Sequence, residues 1–160
     1  MSEQKKAKIK IENAINELLT GEINKNALNF VGYLRTSKTK ISQVHANRWD
    51  VSMGKKICKI TVNNDDFAVI FDEIFNSDYD YLFDTKELKD NALKNIKTKY
   101  CCKCQKTCVD KNAWIDLTIL GTVHKEACKH LWIYMELPDE TAVECAKKII
   151  GKRLEDISKK

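Results

Sequence analysis

Between positions 101 and 130 the chain carries seven side chains able to ligate a soft metal: Cys101, Cys102, Cys104, Cys108, His124, Cys128 and His130. Thiolate sulfur and imidazole nitrogen hold zinc tetrahedrally, and a C-x-x-C pair such as Cys101 and Cys104 lets one tight turn present two sulfurs to one ion. The expected ligand set is Cys101, Cys104, Cys108 and Cys128, four thiolates closing a structural shell around the expected cofactor, zinc. Cys102 can stand in for Cys101, and His124 or His130 for Cys108. The second C-x-x-C of a zinc ribbon is absent.

Other chemistries compete for the same residues. Zinc deaminases pair an H-x-E element with a downstream P-C-x-x-C, the glutamate shuttling protons. Here His124-Lys125-Glu126 follows the cysteine pair, and no proline precedes it. A zinc-dependent hydrolytic enzyme built on His124 and Glu126 is therefore the alternative, with Glu126 otherwise a solvated hairpin residue. Thioredoxin-like chemistry needs its C-x-x-C at a helix N-terminus. The stripe Leu88, Ala92, Leu93, Ile96 and Tyr100 instead predicts a helix running straight into Cys101, whose C-terminal dipole opposes a thiolate. Lys97, Lys99, Lys103 and Lys106 partly offset that dipole, and would equally neutralise an anionic zinc–thiolate centre. The compact ferredoxin run ending in Cys-Pro is missing, as are any phosphate loop, nucleophile elbow or dinucleotide fingerprint. No residue is assigned a catalytic role.

The chain has seven cysteines, and Cys58 and Cys145 lie outside the segment. Cys58 shares a face with Ile60 and Val62 and reads as a small buried hydrophobe, while Cys145 lies beside the apolar face of the last helix and reads as half-buried packing. No apolar run approaches a membrane span, and Met1-Ser2-Glu3-Gln4-Lys5-Lys6 precedes no apolar h-region, so the expected location is cytoplasmic. Thiols stay reduced there, which favours metal ligands and free thiols over disulfides. The net charge of +5 is carried mostly by lysine, with Arg35, Arg48 and Arg153 the only arginines. Base readout favours the Arg fork, so sequence-specific nucleic-acid binding is not expected and the lysines read as solvated.

Apolar spacing predicts the scaffold that must position the cysteines. Ile11, Ala14, Ile15, Leu18 and Leu19 form one helical stripe ending at Thr20-Gly21. Ile23, Ala27, Phe30, Val31 and Leu34 form a second, giving a helical hairpin over 1–36. The period then falls to two: Trp49, Val51 and Met53, then Cys58, Ile60 and Val62, then Phe67, Val69 and Phe71 predict a three-stranded meander. His45 reads as a loop or surface histidine. Residues 72–84 read as an irregular connection whose aromatics pack and whose carboxylates face water. Asp84 and Glu87 have capping-box spacing. Ile115, Leu117 and Ile119, then Leu131, Ile133, Met135 and Leu137, predict two strands joined as a hairpin through His124. Pro138 and Asp139 open a last helix with Ala142, Val143, Ala146, Ile149, Ile150, Leu154 and Ile157 on its apolar face.

These readings give a single α+β domain over 1–160: a mainly antiparallel sheet of about five strands, four helices, and a Cys/His-rich metal-binding segment over 100–130. The order is two helices, three strands, helix, cysteine knuckle, two strands, helix. The expected function is non-catalytic: a zinc-stabilised cytosolic binding or regulatory module whose partner is a small molecule, a protein or an acidic surface, with no membrane association. A thiol- or metal-responsive switch is a further alternative.

Overall fold

Leu19 turns extended and Gly21 takes φ +62°, so the two N-terminal stripes form separate helices, α1 (Ile11–Leu18) and α2 (Gly21–Thr36). The computed structural model describes residues 7–71, 77–99, 114–128 and 132–159. α1 buries Ile11, Ala14 and Ile15, and α2 buries Ala27, Phe30, Val31 and Leu34.

The expected meander has four strands: β1 (Lys40–His45), β2 (Arg48–Met53), β3 (Lys55–Asn63) and β4 (Asp66–Phe71). β1 escaped the sequence reading because its apolar residues, Ile41 and Val44, are three apart. A bulge between Gln43 and His45 breaks the alternation at that point. His45 is exposed at the end of this strand.

A 3-10 helix spans Ser77–Leu82, and Tyr79 and Phe83 are buried while Tyr81 is 63% exposed. α3 (Lys86–Asn95) is capped by Thr85, whose hydroxyl accepts from Leu88 N at 3.3 Å; the capping residue is thus one later than Asp84. The helix does not continue to Tyr100. Asn95 folds its amide back to Asn91 O at 3.0 Å, Ile96 turns extended, and β5 (Ile96–Lys99) follows. Ile96 and Thr98 are β-branched, and pairing with a neighbouring strand overrides the helical spacing.

β6 (Trp114–Ile119) and β7 (Thr122–Cys128) form their own two-stranded sheet, and β8 (Trp132–Glu136) joins the main one. The expected hairpin between 115–119 and 131–137 is therefore replaced by a tighter one. Its turn is Leu120-Gly121, at φ +49° and +78°, the two positive values a two-residue type I′ turn requires. The main sheet has six strands where about five were expected, in the order β1-β2-β3-β4-β8-β5, with every ladder antiparallel.

α4 (Glu140–Ser158) starts where Asp139 Oδ1 accepts from Ala142 N at 2.8 Å. The four helices pack on the sheet face that carries Trp49, Ile60, Val69, Phe71 and Met135. Phe30 meets Phe67 edge to face at 6.2 Å, worth about 0.5–1.5 kcal/mol beyond burial. Asn26 donates to Pro138 O at 3.3 Å, tying α2 to the start of α4. This is the expected α+β class.

Candidate metal centre

Of the seven candidate ligands, Cys101, Cys102, Cys104, Cys108 and His130 lie outside the described residues. Cys128 and His124 lie in β7. Among the described residues no three His, Cys, Asp or Glu side chains come together in a way that could hold a metal ion.

The strand ends nonetheless converge. Lys99, the last residue of β5, pairs with Trp132, the first of β8; Trp114, the first of β6, pairs with Cys128, the last of β7. Three residues join Cys128 to Trp132, so their Cα atoms lie within about 15 Å, four trans peptide units. Cys101 follows Lys99 by two positions in the sequence. Lys99 and Trp114, which flank the cysteine stretch in sequence, thus pair with Trp132 and Cys128, which flank 129–131.

Register separates the two candidates in β7. Leu117 pairs with His124 and Ile115 with Ala127, so β7 carries one extra residue around Lys125 and Glu126. The bulge puts the Cys128 position on the side of Trp114, Asp116 and Thr118, and the His124 position on the side of Leu117 and Ile119. Asp116 and Thr118 are exposed, whereas Ile119 is fully buried. Sequence alternation alone would have put His124 and Cys128 on one side.

The far end of the hairpin is anchored. Ile119 and Leu120 are 0% and 1% exposed and belong to the main core. A Cβ on Gly121 would come 2.7 Å from Lys89 Nζ on α3, so this turn sits close to that helix. Leu120 holds a left-handed conformation that costs a bulky residue about 1–3 kcal/mol, which its burial offsets.

The expected helix C-terminus before Cys101 is replaced by β5, and the dipole argument against a reactive thiolate loses its premise. Cys58 is buried as expected, and Cys145, expected to be half-buried, is fully buried at 0% exposure; neither forms a disulfide. Cys145 Sγ donates to Leu88 O at 3.6 Å, and burial pushes its thiol up to about 11, which keeps it protonated. Beside the segment, Lys97 Nζ lies 2.8 Å from Glu136 Oε1, and that carboxylate raises the ammonium above its usual range. Elsewhere, a groove of about 530 Å³ runs between residues 7–9, α1 and the β1–β2 turn, with Glu17, Leu18, Val44 and His45 in its walls. In residues 77–84, Tyr79 is tied to Arg153 of α4, and burial raises its phenol above the usual range. No described helix is long and apolar enough to cross a membrane. No family model, no curated protein and no solved structure matches the chain.

Proposed function

We propose that residues 100–130 hold one structural zinc ion through Cys101, Cys104, Cys108 and Cys128, and that the chain is a zinc-stabilised, non-catalytic binding or regulatory module of the cytoplasm. The observation that supports this reading is the pairing of strand ends: Lys99 and Trp114, which flank the cysteine stretch in sequence, pair with Trp132 and Cys128, which are separated by a gap of three residues. A ligand at each end of that gap lets one ion close it, and four thiolates leave no open coordination position for a reacting water. The bulge in β7 favours Cys128 over His124 as the ligand from the hairpin, and it places Glu126 in the irregular stretch rather than in regular alternation.

Elemental analysis of protein made with zinc available should find about one zinc per chain. Cys104→Ser should lower that occupancy, because a hydroxyl is a poor zinc ligand. Hydrogen exchange should then lose protection around 97–130 and keep it in the rest of the sheet. Cys58→Ala and Cys145→Ala should leave zinc content unchanged, since both thiols sit in apolar packing. Protein purified without metal, or zinc lost from either control, overturns the ligand set. Zinc lost from Cys104→Ser with exchange unchanged everywhere would transfer support to the hydrolytic reading through His124 and Glu126.

A further inference from the structure

Four large apolar side chains are exposed among the described residues: Ile9, Val44, Tyr81 and Val123. Two of them line one groove. Ile9 is 48% exposed and Val44 43%, and both border the space of about 530 Å³ between residues 7–9, α1 and the β1–β2 turn. Apolar side chains scattered singly over a surface need no explanation, whereas two in the walls of one concavity mark a place for a ligand. Val44 is the extra residue of the bulge in β1, a device that re-aims a side chain out of strand alternation. Leu18 of α1 adds a half-buried apolar wall.

The groove is held in shape by one side-chain amide. Gln43 Oε1 accepts from Ile9 N at 2.8 Å, and Gln43 Nε2 donates to Ala46 O at 3.1 Å. Trp49 Nε1 donates to Ile9 O at 3.2 Å, so the backbone of Ile9 is fastened at both its polar atoms. The segment before α1 and the turn after β1 are thereby tied to each other. A ligand entering between them does not have to order its own walls.

The same groove is lined by one base and one acid, Lys8 and Glu17. Among the described residues neither side chain forms an ion pair or a hydrogen bond, with the other or with any further group. Opposite charges that border one space without meeting leave a gap that a ligand carrying both charges can bridge. We propose that this groove binds a short zwitterionic peptide of apolar residues, its ammonium against Glu17, its carboxylate against Lys8 and its side chains on Ile9, Leu18 and Val44. The volume lies within the roughly 300–1,000 Å³ of small-ligand sites, and a single free amino acid would leave much of it empty. All of the groove is built from residues 7–18 and 43–47, so the proposal does not rest on the zinc reading.

Calorimetric titration of the zinc-loaded full chain with leucyl-leucine tests it. Binding with a Kd of roughly 0.1–1 mM is expected for a ligand of that size. Blocking either end, as N-acetyl-leucyl-leucine or as leucyl-leucine amide, should weaken binding roughly two- to fivefold, the scale of one exposed ion pair. In Glu17→Gln the penalty for acetylation should vanish and that for amidation should remain, while Lys8→Gln should show the reverse. Such an exchange of penalties cannot arise from loss of folding. Val44→Ser should weaken all three ligands, and zinc content should match the parent in every variant, which separates this outcome from failure of the metal reading. The proposal is overturned by absence of binding at peptide concentrations tenfold above the expected range, by equal penalties in the parent and both charge variants, or by tighter binding of the blocked peptides than of the free one. It is also overturned if sedimentation shows self-association that Val44→Ser abolishes, since the occupant would then be a second copy of the chain.

Discussion

The body of the molecule and the excursion between β5 and β8 are stabilised in different ways. In the body, α2 presses Phe30 onto Phe67 and α4 buries Ala146, Ile149 and Ile150, so apolar contacts cross between segments far apart in sequence. In the excursion, Ile119 and Leu120 are the buried apolar side chains among those described, both at the turn end of the hairpin. Its open end is the pair of Trp114 with Cys128. A hairpin alone is marginally stable in water. The contrast teaches that burial fixes the scaffold throughout but, among the described residues, reaches the hairpin at its turn end, and the zinc proposed above would fix the rest.

The largest effect should come from breaking the body. Phe30 is fully buried and makes the aromatic contact with Phe67. Phe30→Ala should cost about 3–5 kcal/mol, measured by urea denaturation, because it removes both transfer energy and a filled volume. The loss should appear equally in near-ultraviolet and far-ultraviolet signals if the body unfolds as one unit. A smaller and local effect is expected from Ile119→Ala, which undocks the hairpin turn. It should cost about 2–3 kcal/mol. Exchange protection should fall first in β6 and β7, while β2 to β4 stay protected. Simultaneous loss in both regions would mean that the excursion is a structural part of the body and erase the distinction.

The same contrast explains what could be read from the sequence. α1, α2, β2 to β4 and α4 follow apolar spacing because their faces are set by burial: Ile15, Phe30, Val51, Ile60 and Val69 are each fully covered. β1 and β5 did not follow it. They are the edges of the sheet, paired on one side only, and their polar composition carries little periodic signal. Leu88, Ala92 and Ile96 share a helical stripe, yet Ile96 belongs to a strand because β8 offers it a partner, Met135. β7 was hidden for a different reason. The spacing around Thr122, Val123 and His124 predicts a connection, because the bulge near Lys125 removes the alternation that would mark a strand. Of the candidate site, the cluster of ligand types was legible in the sequence, and so was the burial of Cys58. Which ligands share a side of the hairpin was not, since a one-residue bulge reverses the answer.

The smallest expected effect sharpens the comparison from the side of charge. Arg35 donates to Glu12 from Nε at 3.0 Å and from Nη2 at 3.2 Å, a two-point contact that joins α1 to α2 on the surface of the body. The Arg35 hydrogen bonds hold the Glu12 carboxyl below its usual value of 4.5, against a desolvation that acts the other way. A carboxylate whose folded pKa is depressed contributes stability above its unfolded pKa and loses it as pH falls through the folded value. Glu12→Gln should therefore be less stable than the parent at pH 7, by a few tenths of a kcal/mol because the pair is largely solvated. The gap should close as pH drops below about 4.5 and shrink in high salt. Zinc–thiolate sites also fail in acid, because protons displace the metal from sulfur. Acid should thus act on both regions, and salt should discriminate between them. Added salt should narrow the Glu12→Gln difference while leaving zinc content unchanged at pH 7. A Glu12→Gln difference that ignores salt would show that the contact acts through packing rather than charge.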